Sequence, residues 1–584
     1  MNNRPFVNIL KLTILQIFIL SNIISADVRY VSKTGTSQFP YTSWESAADS
    51  IQKCIDICNI GDTIYVANGV YKETLFTTKE ISLIGSSMDS TIIDGTGLRD
   101  STIYLGSNAY IKNFNILGKS VGTDNVYYYA ILTNGNLEIS NCRISQDGIG
   151  VVIIGSSCNV NNVIMTNVRE GYNSGCLQGG CTNYLTNCII ISDLESNDGI
   201  RMAIGGNYYV INNIIGHYGV FTSDIGISAG WPDTVHIFNN LVSGFTANID
   251  FDLINDSAFV MNNVSINGGW GIYAYNNHTN IKNNILVNNL KGLVGESFNE
   301  NYNMFWNNSR DIYNSNIIYN YGDSDIVVDP MFVNDTTLTP IFNFDYHLQA
   351  FSPAINKGDP SILNKDGSRS DIGMFGGPYG EVYKYNDLAP RSPRNLTAFV
   401  DSSKITLKWK KNTEADTAYY NLYRDTIPNF TIIPAKLISR QKDTLFIQQL
   451  PNNIGHLYYK LTAEDKTGHV SSSSNEISVI LSSTDNYYSI VHAYKLFQNY
   501  PNPFNPSTII SFNLKDKGYV KLMVYDIIGK LIKVLVNETK ESGYYETEFN
   551  AKGLASGIYL YRLEVIGKGN IPVYSDLKKC ILIK

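Results

Sequence analysis

Asp250, Asp252 and Arg201 are the residues of this 584-residue sequence whose types and spacing best suit chemistry. Asp250 and Asp252 lie two apart, so on an extended strand they share a face with Cα atoms about 6.6 Å apart. Carboxylates paired at such a distance can serve as acid and base in glycoside hydrolysis, or hold Ca²⁺. Arg201 is the evident cation in a set of matching segments: Ile149-Gly-Val151, Ile200-Arg-Met202, Ile225-Gly-Ile227 and Ile249-Asp-Phe251. An arginine so placed can neutralise a sugar carboxylate while a base removes the adjacent proton. Strand alternation turns Ile149, Ile200, Ile225 and Ile249 inward and Arg201, Asp250 and Asp252 outward. Asp147, Asp198 and Asp224 then stand at the turns that lead into these strands, where Asp-Gly at 147–148 and 198–199 is also ordinary turn chemistry. Trp231, Trp270, Tyr273 and Tyr275 offer ring faces on which sugars stack. Asp198, Asp224, Trp231, Trp270 and Tyr273 are therefore expected to bind substrate, and Arg201, Asp250 and Asp252 to carry catalysis. His217 and His236 show no partner pattern.

The elements that must position these residues come from a repeat. An apolar residue, a spacer, Asn, and then Asn or Cys recur at Ile111–Phe114, Ile139–Cys142, Val160–Asn162, Leu185–Cys188, Val210–Asn213, Ile237–Asn240, Val260–Asn263 and Ile281–Asn284, with Tyr302-Asn303 closing the series. Intervals of roughly 20–28 residues suit the coils of a solenoid. Each interval holds a second apolar alternation and no helix that would cover a sheet, which predicts a parallel β-helix with coils about 4.8 Å apart. Asn in such a column can face inward and bond to its neighbours along the axis, so these residues are expected to form a structural ladder.

The first coils read Gly61-Asp-Thr-Ile-Tyr-Val-Ala-Asn-Gly-Val-Tyr-Lys-Glu73, Ile81-Ser-Leu-Ile-Gly85 and Thr91-Ile-Ile-Asp-Gly95, after a helix expected over 46–58. Together they resemble the opening of right-handed β-helix proteins of the pectate-lyase-like superfamily, over about residues 27–380. That resemblance implies a right-handed parallel β-helix with an N-terminal capping helix; with the two small β-sandwich domains read further along the chain, the expected fold is all-β. The far end, Asp329-Pro-Met-Phe-Val, Asp345-Tyr-His-Leu, Ser352-Pro-Ala-Ile-Asn and Asp366–Gly377, resembles the terminal segment of exported bacterial β-helix proteins. Its Asp, Gly and Arg residues are expected to hold a capping loop. The superfamily includes lyases, hydrolases, esterases and inactive binders, so the fold alone does not choose among them. The motif sets of pectin methylesterases and polygalacturonases are missing.

Past Pro378 the pattern changes. After a linker at 381–393, Ile405-Thr-Leu-Lys-Trp409, Tyr419-Tyr-Asn-Leu-Tyr423 and Tyr458–Asp465 resemble a fibronectin type III domain over 394–482, with Trp409 in its core and Tyr458 or Tyr459 near its corner. A second linker at 483–493 leads to Tyr494-Lys-Leu-Phe-Gln-Asn-Tyr-Pro-Asn-Pro-Phe-Asn-Pro-Ser-Thr508, Val520–Gly529 and Gly553–Arg562. Residues 494–584 resemble the C-terminal sorting domain of type IX secretion cargo, which implies the type IX machinery as a partner. At the other end, Arg4 and Lys11 flank an apolar run at 12–24 of h-region length, so residues 1–26 read as a signal peptide. No later stretch reads as a transmembrane span.

Net charge −7 and pI near 5.6, with no basic stripe, argue against nucleic acid as a partner. The eight cysteines form no zinc-ligand pattern with His; Cys176 and Cys181 are placed to pair, though spacing does not prove it. The reading is an exported monomer, secreted or on the outer surface, that binds an acidic polysaccharide or cell-surface glycan; if it is an enzyme, it is a polysaccharide lyase or glycoside hydrolase. Ca²⁺ is the one candidate cofactor, and a non-catalytic surface adhesin or structural protein is the alternative.

Overall fold

The computed structural model describes residues 26–98, 101–118, 128–145, 148–176, 180–192, 198–217, 224–251, 254–275, 278–296, 298–314, 321–334, 345–400, 404–450, 455–481, 494–540, 543–567 and 572–583. The expected signal peptide, Asp147 and Asp252 lie outside these residues, the signal peptide all but Ala26. The chain is all-β: a β-solenoid of about ten turns followed by small antiparallel domains. It divides into two compact units, Met1–Tyr184 and Leu185–Lys584.

In the first unit, strand Val28–Val31 pairs in parallel with Asp62–Val66, and that strand with Ile81–Gly85. Asp62, fully buried, holds Arg29 at 3.1 Å and accepts the Asp27 N–H, which explains the acidic residue in the Gly-Asp-Thr-Ile phrase. A buried carboxylate with a cation and N–H donors around it meets the need for compensation of charge. The helix spans Ile51–Ile57, shorter than the expected 46–58. Its start is fixed from a distance: the Glu73 carboxylate accepts the N–H groups of Ile51 and Gln52 and the Ser50 hydroxyl. Those are first-turn donors that no intrahelical carbonyl can take. Cys176 and Cys181 form a disulfide.

In the second unit the repeat resolves into two roles. Asn212, Asn239, Asn262 and Asn283 have φ of 57–58°. This left-handed conformation, which Asn tolerates better than other side-chain-bearing residues, turns the corner of each coil. The next residue points inward. Asn213 Nδ2 donates to Asn240 Oδ1 at 2.9 Å, Asn240 to Asn263 at 3.0 Å, Asn263 to Asn284 at 2.9 Å and Asn284 to Asn303 at 3.0 Å. Each acceptor Oδ1 also takes the backbone N–H of the preceding rung, and Asp325 Oδ1 takes that of Asn303 at 2.7 Å. The ladder is therefore the expected structural one.

Upstream the corner is the constant and the rung varies. Asn113, Asn141 and Asn162 keep positive φ, while Phe114, Cys142 and Val163 fill the buried inner position. Asn162, expected in the inner column, is an exposed corner residue. Beneath the rungs, Val210, Ile237, Val260 and Ile281 stack in register and are fully buried.

The terminal segment departs from the expected cap. Residues 352–377 run back along the flank of three coils. Asn239 Nδ2 donates to the carbonyls of Met374 and Gly376, Asn262 Nδ2 to that of Asp371, and Asn283 Oδ1 accepts the Asp359 N–H. Ile372, Ala354, Leu348 and Phe332 pack there against Leu241, Val264, Ile285 and Met304. The corner amides project outward and need partners, and backbone carbonyls of this strap supply them.

Downstream, strands Arg394–Val400, Lys404–Lys410 and Leu445–Gln449 form one sheet, and Leu437–Gln441, Thr417–Asp425, Gly455–Asp465 and Ile477–Leu481 another. This is a fibronectin type III-like sandwich. Trp409 stacks edge-on to Tyr420 at 5.5 Å in its core, and Tyr459 is fully buried. The last sandwich pairs Lys495–Leu496, Ser507–Leu514 and Gly543–Asn550 in one sheet, and Leu531–Lys540, Gly518–Asp526, Gly557–Ile566 and Pro572–Leu582 in the other.

Asn263→Ala should lower the solenoid's stability by about 2 kcal/mol or more, because the change strips partners from buried amides on both sides. Urea unfolding followed by hydrogen exchange of the coil backbone checks this. A second expectation concerns pH. Burial, with the Asp325 carboxylate beside it, pushes the Glu300 carboxyl up from its ordinary 4.5 to about 8. The folded state then holds the proton more tightly than the unfolded chain, so this contribution is full below pH about 4.5 and lost as pH rises to about 8. The midpoint of solenoid unfolding should fall across that window, and Glu300→Gln should flatten the fall.

Candidate functional site

The outward row on the second face of the solenoid is fixed by parallel register. Strands Ile200–Ile204, Ile225–Trp231, Ala247–Phe251, Trp270–Ala274 and Lys291–Gly295 align Arg201 with Ser228, Ser228 with Asp250, Asp250 with Tyr273 and Tyr273 with Val294. Arg201 and Asp250 thus share a row but stand two coils apart, about 9.6 Å at the usual strand spacing. The catalytic trio expected from the sequence is not one cluster: Ser228 separates two of its members, and Asp252 lies outside the described residues.

Ile225 does not join the column of Ile200 and Ile249; Ile227 does. Nor does Ile149 face inward, where Val151 is buried in its place. The reason lies at the start of each strand, where two successive residues turn inward before alternation begins. The first of the two is glycine in most coils. A Cβ on Gly199, Gly226 or Gly271 would lie 2.5–2.6 Å from a carbonyl oxygen of the next coil, a spacing only glycine permits. Strict alternation fails at this bend, so the register moves by two residues and the outward residue of that coil becomes Ser228 instead of Gly226.

Around Arg201 the structure gathers residues that the sequence left scattered. Asp198 precedes one strand and Asp224 the next. Burial pushes the Asp198 carboxyl up to about 6, against the pull of the Arg201 guanidinium, the Ile225 N–H and the Ser228 hydroxyl, with Asp224 adding to the rise. Asp224 is buried, and its Oδ2 lies 3.2 Å from His217 Nε2, whose side chain is equally enclosed. His217, expected to lack a partner, therefore belongs to the cluster. It closes strand Ile214–His217, and nothing in a seven-residue separation from Asp224 signals the approach. His236, in contrast, is stacked between Tyr209 at 4.5 Å and Phe259 at 5.1 Å, and burial lowers its affinity for a proton.

The aromatic residues divide. Trp270 and Tyr273 stack at 5.1 Å, Tyr275 follows at 6.2 Å, and Lys291 Nζ lies 5.7 Å from the Trp270 ring and 3.8 Å from that of Tyr313. Arg310, three residues before Tyr313 in the same coil, lies 4.8 Å from its ring. This strip continues the row beyond Asp250 and mixes ring faces with cations. Trp231, half-exposed, stands at the far end of its strand opposite Ile204 and does not join. Asp198 and Arg201 offer an acid–base group beside a cation, and the strip offers platforms for an extended ligand.

The delivery end has its own geometry. Asn499 is buried; its N–H donates to Tyr561 Oη at 2.8 Å and its side chain to Thr508 Oγ1 at 2.9 Å and the Pro501 carbonyl at 3.0 Å. Asn502 Oδ1 accepts the Ile581 N–H, tying the proline-rich segment to the last strand. Residues 498–570 match the secretion system C-terminal sorting domain family. The chain carries a type IX sorting domain. That domain indicates export to the cell surface or secretion and implies the secretion machinery as a partner. No described helix is long and apolar enough to cross a membrane.

No curated protein matches the sequence. Among solved structures, the chain is similar to dimeric latent PorU from Porphyromonas gingivalis, at 16% identity and TM-score 0.18 over 33% of this chain and 20% of that one. It thus spans about a fifth of PorU's length. It is also similar to a two-domain fibronectin type III segment of chicken tenascin (14% identity, TM-score 0.12, 32% of this chain and 98% of that one). Chicken CNTN1 domains FN1–FN3 give 11% identity and TM-score 0.13, over 33% of this chain and 66% of that one. The fold assignment rests on the strand topology described above.

Replacing Arg201 with Met removes the charge that holds the Asp198 carboxyl down. A carboxyl resonance titrating near pH 6 should move upward in Arg201→Met and vanish in Asp198→Asn, as followed by ¹³C NMR.

Proposed function

We propose that this exported protein binds an acidic polysaccharide along the outer row of its solenoid and cleaves it by elimination at Asp198. The observation that carries the reading is the Asp198 carboxyl, held near 6 beside Arg201, at the head of a row that runs from Arg201 through Ser228 and Asp250 to Tyr273. Arg201 is exposed and takes the carboxylate of a uronate unit, which acidifies the hydrogen on the adjacent carbon. Asp198, deprotonated at neutral pH, removes that proton. The electron pair left behind forms a carbon–carbon double bond as the glycosidic oxygen departs from the next carbon and takes up a proton. A group titrating close to the working pH is well matched to such transfer. Trp270, Tyr273 and Tyr275 stack flanking sugars, and Lys291 and Arg310 meet their carboxylates. Burial and the nearby Arg310 ease proton loss from Lys291, a sign that a cation there is short of counter-charge. Asp250 positions sugar hydroxyls between Arg201 and the aromatic strip.

The purified chain, incubated with a panel of uronic-acid glycans with and without Ca²⁺, is expected to give products absorbing near the ultraviolet edge from the new double bond. Asp198→Asn should abolish turnover while retaining binding, and Asp250→Ala should weaken both. Binding without any turnover by the unaltered chain would instead identify a non-catalytic glycan adhesin, and the absence of both would remove the glycan reading.

A further inference from the structure

A cavity of about 210 Å³ lies inside the second unit, where the end of the solenoid meets the start of the fibronectin-like sandwich. Trp306 and Asp329 line it from the solenoid, and Arg391, Arg394, Lys410, Lys411 and Glu414 from the other side. Two hydrogen bonds hold these walls in place. Arg391 Nη2 donates to the Phe332 carbonyl at 3.1 Å, and Asn412 Nδ2 donates to the Arg391 carbonyl at 2.7 Å. Arg394 and Lys410 are direct partners across the antiparallel pair of strands Arg394–Val400 and Lys404–Lys410. Their charges lie 5.7 and 6.0 Å from the Trp306 ring, at the outer limit of cation–π range.

Like charges set directly opposite on a sheet destabilise it unless something compensates them. The compensation present is thin. Arg394 Nη2 stands 3.8 Å from Asp329 Oδ2, and Lys410 and Lys411 have no ion-pair partner among the described residues. Four cations thus share the cavity with two carboxylates, in a chain whose formal net charge is −7. One of those carboxylates is itself incomplete. Glu414 is 6% exposed; its Oε1 accepts the Arg391 N–H at 2.6 Å, while its Oε2 is enclosed with no hydrogen-bond partner among the described residues. An enclosed carboxylate oxygen calls for a hydroxyl or N–H donor. The cavity therefore suits one molecule that brings a negative group, a hydroxyl to donate and an apolar face for Trp306.

We infer that this cavity binds a single unit of an acidic sugar. The sugar carboxylate meets Arg394, Lys410 and Lys411, one hydroxyl donates to Glu414 Oε2, and the apolar face of the ring lies on Trp306. The volume sets the size of the ligand. At about 30 Å³ for each water, the cavity has room for about seven waters, which is room for one pyranose ring with its substituents. It is smaller than the pockets of roughly 300–1,000 Å³ that enclose drug-sized molecules. Inorganic phosphate or acetate would satisfy the cations but leave the Trp306 face unused. The inference rests on the reading of an acidic polysaccharide as ligand and adds a second subsite to it, with no residue of the outer row taking part. Because both walls contribute, the bound unit also ties the fibronectin-like module to the last coils of the solenoid.

The test uses the full mature chain labelled with fluorotryptophan, with its five tryptophans followed by ¹⁹F NMR. The Trp306 resonance is assigned by its loss in Trp306→Phe, and that of Trp270, on the outer row, by its loss in Trp270→Phe. Titration with D-galacturonate should move the Trp306 resonance saturably, whereas D-galactose should not. Acetate and inorganic phosphate should bind there about tenfold more weakly or worse, and Lys410→Gln, a change at an exposed position, should weaken galacturonate about tenfold. A Trp306 resonance that stays still would overturn the cavity site whether or not Trp270 moves, and Trp270 reports the outer row separately. Equal affinity for galacturonate and for acetate or phosphate would reduce the site to a bare anion site and overturn the sugar. Unchanged affinity in Lys410→Gln would overturn the placement of the carboxylate.

Discussion

The coils of the second unit that carry Asn212-Asn213, Asn239-Asn240, Asn262-Asn263 and Asn283-Asn284 must turn a corner without leaving buried amides unpaired, and these paired asparagines meet that demand. The first residue of each pair takes the left-handed conformation, and the second carries its amide into the interior, where one oxygen serves both a side-chain and a backbone donor of the preceding rung. Since each rung supplies the partner for its neighbour, the ladder sets the coil spacing and the register together. The outer row inherits that register. Arg201, Ser228, Asp250 and Tyr273 are neighbours because the strands that carry them are held in step by an interior they never touch.

Much of this was legible in the sequence. The recurring Asn-Asn and Asn-Cys dipeptides announce both the solenoid and its ladder, because few other patterns place an amide after every corner. The sorting domain is legible for another reason: its prolines, buried Asn499 and alternating strands form a compact local pattern. What escaped was geometry that depends on departures from period two. The bend at the start of each outer strand turns two successive residues inward, so Ile225 and Ile149 were assigned to the wrong column. Arg201 and Asp250 keep their expected outward place because Ile200 and Ile249, beside them, do occupy the inner column.

The candidate site was legible only in part. Asp198, Asp224 and Arg201 could be placed near one another because turn acids and strand residues recur at matching points of the repeat. His217 could not, since its approach to Asp224 depends on the strand of the preceding segment ending where the next begins.

The strap at 352–377 gives the solenoid two very different scales of folding. Rungs join residues 19–27 positions apart, so coils can add one after another with little loss of chain freedom. The corner amides of Asn239 and Asn262, by contrast, find their partners 109–137 residues later. The flank formed by Leu241, Val264 and Ile285 therefore stays open until the chain as far as residue 376 has docked on it. The solenoid grows like a stack but is sealed like a parcel, and the seal is applied late, by the part of the chain that leads into the delivery domains.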